Sequence, residues 1–113
     1  MKLSDHHVLV VEQKKLKEYL LNFGHDDGAP KARFFLTLGY GESTWRDLAE
    51  TLREHAARNE VFQTVESSFG KKYIVKGPIR TFDGFIREPG IFSVWIVERD
   101  SSEARLVTAY PVG

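Results

Sequence analysis

The spacing of apolar residues changes once along this chain, from a helical period in the first half to an alternating period in the second. Between Gln13 and Phe23, the residues Leu16, Tyr19, Leu20 and Phe23 recur at i, i+3, i+4 and i+7, with Lys14, Lys15, Lys17 and Glu18 off that face. This spacing predicts an amphipathic helix over 13–23 with Gly24 as its stop. The segment His25–Pro30 has loop composition. Pro30, a first-turn proline, opens a second helix carrying Ala32, Phe34, Phe35 and Leu38, which Gly39 and Gly41 end. Ser43 or Thr44 caps a third, with Asp47 three residues after Thr44 in place of the usual Glu or Gln. Its apolar face is Trp45, Leu48, Ala49, Leu52 and Ala56, and the like-charged Glu50 and Glu54 mark the solvated side.

After Asn59 the period drops to two. Strands are predicted over 61–66, 72–76, 92–98 and 105–110, with a turn at Phe69-Gly70, a close at Gly77-Pro78 and a hairpin turn at Asp100–Ser102. The stretch 80–90, with Asp83-Gly84 and Pro89-Gly90, reads as one long turn. Phe92–Glu98 is apolar on both faces, as a central strand is. Val8–Val11 is strand-sized or an edge segment, and 1–6 reads as a flexible tail before it. The expected fold is α+β: three N-terminal helices packed on one face of a four-stranded antiparallel β-meander, in a single domain spanning 1–113.

Composition narrows the class. A 42% apolar, 12% aromatic chain of 113 residues can bury a core of its own. It has no cysteine, which excludes disulfides and cysteine-bound zinc and suits a reducing, cytoplasmic setting. No apolar run is long enough for a membrane span, and the first residues show no signal-peptide apolar region. The net charge of zero counts against a general nucleic-acid binder. Yet Ser67–Phe82 contains Lys71, Lys72, Lys76 and Arg80 and no acid, so a local positive field is expected there.

Few residue groupings point to chemistry. The histidines are His6, His7, His25 and His55, without metal-ligand spacing. His55 lies beside the apolar stripe of the third helix and reads as a half-buried core residue. There is no GxSxG nucleophile elbow, and Gly39-Tyr-Gly41 is a helix terminator rather than a phosphate loop. Asp26-Asp27 reads as loop solvation or capping. His25 and Lys31 flank the start of the second helix, where a lysine is electrostatically disfavoured. Either Lys31 serves an anion held at that end or it points into solvent. On the last strand, strict alternation puts Leu106, Thr108 and Tyr110 on one face and Arg105, Val107 and Ala109 on the other. Thr108 and Tyr110 are either donors to a phosphate or ordinary strand residues.

Several segments taken together resemble one family. They are Lys15–Asn22, Gly28-x-x-Lys31-Ala-Arg-Phe-Phe35, Gly39-Tyr40, Trp45-x-x-Leu48, Phe69–Val75 with Gly77, Val94–Val97 and Arg105–Pro111. Their order resembles the small bacterial family of domain of unknown function 6883, over about residues 7–112. More remotely, helices followed by a meander ending in Val-Thr-Ala-Tyr-Pro are similar to the barnase–EndoU–colicin–RelE ribonuclease superfamily. That likeness implies a metal-independent endoribonuclease toxin, with no cofactor and with RNA and a cognate antitoxin or neighbouring-gene protein as partners. It implies a catalytic set of His25, Lys31, Thr108 and Tyr110, and RNA- or phosphate-binding roles for Lys72, Lys76, Arg80 and Arg105. The alternatives are a non-catalytic antitoxin- or immunity-type protein, or a small nucleic-acid-binding module.

Overall fold

A computed structural model describes all 113 residues. The elements are β1 (Val8–Val10), α1 (Gln13–Lys15), which continues as a π-helical stretch Leu16–Leu20, α2 (Ala29–Thr37), α3 (Trp45–Arg58), β2 (Val61–Ser67), β3 (Gly70–Arg80), β4 (Ile86–Glu98) and β5 (Glu103–Pro111). The class is α+β as expected, but the sheet has five strands in the order β1-β5-β4-β3-β2. It is mixed: β2 to β5 form an antiparallel meander, and β1 joins β5 in parallel through Val8, Leu9 and Val10 opposite Glu103, Ala104 and Arg105. The helices are therefore not all N-terminal to the sheet, because β1 precedes them. Three residues are too few to show a period, and only pairing with a strand far along the chain makes them β. No helix is long and apolar enough to cross a membrane.

Other expectations shift for local reasons. Within the segment 1–6, Leu3 is fully buried, and the Met1 carbonyl accepts from the Val61 N–H at 2.9 Å. The first helical run ends at Leu20, leaving Phe23 exposed. The supposed long turn is mostly strand. β3 runs to Arg80 and β4 starts at Ile86, with an irregularity in the ladder near Gly77 and Pro89-Gly90 that absorbs the turn-forming residues.

The helices cover one face of the sheet. Leu48, Leu52 and Ala56 of α3 and Phe35 of α2 join Tyr73, Val75, Ile79, Ile91, Trp95, Leu106 and Ala109 in one buried cluster. In β5 the buried positions are Ala104, Leu106 and Ala109, steps of two and then three. The ladder shows why: Trp95 faces Leu106 but Val94 faces Thr108, so Val107 is an extra, bulged residue. The bulge separates Leu106 from Thr108 and Tyr110, which strict alternation had grouped together. Leu106 and Ala109 face the helices; Thr108 and Tyr110 take the opposite side.

One polar chain crosses the core. His55 is more deeply buried than its sequence position suggested, and its Nδ1 lies 2.9 Å from Ser93 Oγ and its Nε2 3.1 Å from the Gly77 carbonyl. Trp95 Nε1–H donates to the same Ser93 Oγ at 2.9 Å. Every donor is used if Trp95 donates to Ser93, Ser93 to Nδ1 and Nε2–H to Gly77, which requires neutral His55. Burial lowers the His55 pKa from its ordinary 6.5, against the smaller opposing pull of the Gly77 and Ile91 carbonyls. Above that ordinary value folded and unfolded chains both hold neutral imidazole. Below it the unfolded chain binds a proton that the folded one refuses, so stability falls as the pH drops. The urea midpoint is expected to fall between about pH 7 and about pH 5, and a His55→Gln variant to show a flatter profile. Ser93→Ala strands two buried groups and should cost on the order of 2–4 kcal/mol in urea titrations.

Candidate active site

Tyr19 stands where the helical half meets β5. Its phenol oxygen accepts from Lys31 Nζ at 2.7 Å and lies 3.2 Å from Thr108 Oγ1. The His25 ring meets the Tyr19 ring edge-on at 5.0 Å between centroids, and the Lys15 and Lys31 ammoniums lie 5.4 and 5.0 Å from the ring centre. Lys15 and Lys31 form no ion pair. A groove of about 320 Å³, lined by Glu12, Lys14, Lys15, Glu18 and Tyr19, opens alongside.

Local structure explains each placement. β1 pairs with β5 only as far as Arg105, so the rest of that edge, with Thr108 on it, is free for Tyr19 to reach. Gly28 packs against the Tyr19 carbonyl so closely that a Cβ there would sit 2.1 Å from the oxygen. That contact holds the start of α2, and with it Lys31, beside Tyr19. Lys31 tolerates its first-turn position because its ammonium turns back to the phenol and to the Asp27 carbonyl at 3.3 Å. His25 Nδ1 accepts from the backbone N–H groups of Asp27 and Gly28 at 3.1 and 3.0 Å. The ring proton is therefore on Nε2, and His25 presents a donor, not a base.

The remaining expected site residues divide. Lys31, Thr108 and His25 meet around Tyr19; Tyr110 does not, and its ring lies against Phe92 at 5.4 Å. Lys72 and Lys76 alternate with the buried Tyr73 and Val75 and face away from the helices. Lys71 sits on the other side, over the Tyr73 ring and 3.8 Å from Glu66. Arg80 is bound to Glu54 of α3 at 3.0 Å, and Arg105 to Glu12 at 3.1 Å and Glu103 at 3.4 Å. The hydrogen bond and charge of Glu12 raise the Arg105 pKa further. The run of basic residues from Lys71 to Arg80 is thus not one patch, because strand alternation and α3 pull it apart.

The phenol was not expected, since Tyr19 reads in sequence as one apolar member of a helix face. Burial pushes its pKa up, but the hydrogen bonds from Lys31 and Thr108 and the Lys31 charge outweigh this, and the net shift is downward from 10.0. Such a group releases its proton more readily than an ordinary tyrosine, with a fixed cation beside the oxygen that remains. A family model, Domain of unknown function (DUF6883), matches residues 2–113. The chain belongs to the DUF6883 family. No curated protein and no solved structure matches it significantly. That description carries no activity, so the chemistry of this DUF6883 chain rests on its residues. In a spectroscopic titration of phenolate absorbance, one tyrosine is expected to titrate below 10.0. Tyr19→Phe should abolish that transition and Lys31→Met should move it up.

Proposed function

We propose that the chain is a metal-independent endoribonuclease-like toxin acting at the Tyr19–Lys31–Thr108 cluster. The hydrogen-bonded line from Lys31 through the phenol to Thr108 carries this reading. It offers a proton donor, a fixed positive charge and a hydroxyl within reach of one phosphate. The likeness to the barnase–EndoU–colicin–RelE ribonucleases supports the same class. The ribose 2′-hydroxyl attacks the neighbouring phosphorus, the bond to the 5′-oxygen breaks, and a 2′,3′-cyclic phosphate and a 5′-hydroxyl result. Tyr19 protonates the departing 5′-oxygen, and Lys31 stabilises the phenolate. Thr108 and His25 Nε2–H donate to non-bridging oxygens. The 2′-hydroxyl proton passes to water, since His25 has no free lone pair on the ring. RNA and a cognate antitoxin or neighbouring-gene product are the partners, in the cytoplasm, which suits a cysteine-free chain.

A second reading, a non-catalytic antitoxin- or immunity-type protein, draws on the exposed Phe82, Phe85 and Ile86 at the β3–β4 hairpin. Expression in a bacterial host separates the two. A toxin arrests growth, is relieved by the neighbouring reading frame, and loses its effect in Tyr19→Phe; a binding protein forms a tight complex with that neighbour and leaves growth unchanged. In vitro, Tyr19→Phe should lower RNA cleavage by about 10²- to 10⁴-fold, with chelator having no effect on the wild type. Cleavage undiminished in a Lys31→Ala, Thr108→Ala double variant would overturn the assignment.

A further inference from the structure

We infer that the sheet face turned away from the helices is a stacking platform for single-stranded RNA. The inference deepens the reading above by naming the form of nucleic acid and the surface that holds it. Three aromatic rings line this face. Phe62 of β2 and Phe92 of β4 lie 5.7 Å apart, and Phe92 and Tyr110 of β5 lie 5.4 Å apart. Lys76, opposite Phe92 on β3, sets its ammonium 5.1 Å from the Phe62 ring and 5.7 Å from the Phe92 ring. Both outer rings depend on an irregularity in their strand. The ladder skips a residue between Val61 and Gln63, at Phe62, and the Val107 bulge turns Tyr110 outward.

Cross-strand packing alone does not account for this stripe. Phe62 remains 57% exposed, although a ring placed only for packing gains by being covered. Around the rings on the same face stand Lys72, Gln63, Ile74, Val94 and Thr108, while the carboxylates of Glu98 and Glu103 lie toward the other end of that face, beside Arg105. Lys72 and Lys76 form no ion pair, whereas Arg105, at the other end of this face, and Arg80 and Lys71, elsewhere on the molecule, are each paired with a glutamate. Unneutralised ammoniums interleaved with flat apolar rings match a polyanion whose bases are free to stack. A duplex keeps its bases paired and stacked on one another, so only a single strand has π-faces to give. The stripe also leads to the candidate active site, because Tyr110 is two residues along β5 from Thr108, about 7 Å at strand rise. A strand stacked across Phe62, Phe92 and Tyr110 would bring a backbone phosphate to Thr108 and Tyr19.

The test measures binding and cleavage separately. Binding of a fluorescent single-stranded oligoribonucleotide to the 113-residue Tyr19→Phe chain is followed by anisotropy. Adding Phe62→Ala should weaken binding by about 5- to 150-fold, and so should Tyr110→Ala. Phe62→Trp should restore it and Phe62→Leu should not, which separates stacking from apolar contact. Lys76→Gln should reduce the slope of log affinity against log salt by about 0.7. Phe62 is solvent-exposed, so its variants are expected to keep the wild-type melting profile. Unchanged affinity in Phe62→Ala, or equal binding of a duplex of the same sequence, would overturn the platform. Strong binding with the expected losses, but no cleavage by the wild type, keeps the platform and rejects the ribonuclease. Cleavage with an unchanged KM in Phe62→Ala does the reverse.

Discussion

The one extra residue in β5 decides how the rest of the molecule is used. A strand without Val107 bulged would keep Leu106, Thr108 and Tyr110 on a single face. With Leu106 held in the core beside Trp95, that face would be the buried one, and a hydroxyl and a phenol would enter an apolar interior. The bulge lets Ala104, Leu106 and Ala109 fill the core and releases Thr108 and Tyr110 to the open side. Core packing and the outward polar edge are reconciled by a local defect in the ladder.

The two polar centres of the molecule contrast in environment. The His55–Ser93–Trp95 chain is buried, neutral and fully paired, with no buried side-chain polar atom left without a partner. It locks α3 to the middle of the sheet and offers nothing to a ligand. The Tyr19 centre is half-buried and unevenly charged, with two ammoniums close to one phenol and no carboxylate paired to either. The first arrangement stabilises a fold; the second lowers the pKa of a phenol that has a fixed ammonium beside its oxygen.

The sequence was a good guide wherever the determining interaction is local. The face of α3 follows from the positions of Leu48, Leu52 and Ala56, and the place of β4 in the middle of the sheet from its two apolar faces. Lys31 stood out for a sound local reason, its awkward position in a first helical turn. Its partner Tyr19 did not, because it lies 12 residues away across the loop before α2, and Thr108, the other group on that phenol, is 89 residues from Tyr19. Tyr110 was grouped with Thr108 for sharing a strand, which held for the face but not for the hydrogen-bonded cluster. Arg80 looked free in sequence and is bound to Glu54, 26 residues earlier.

By itself, the order of residues determined the α+β class, most strand and helix positions, and a chain without cysteine chemistry, because period, capping and composition act within a few residues. Tertiary structure decided the rest. It made a strand of Val8–Val10 by pairing it with β5, inserted the bulge that turns Thr108 outward, and gave Tyr19 its hydroxyl partners. Each of these depends on groups distant in sequence meeting at a few ångströms, and hydrogen bonds, register and local charge exist only once they do.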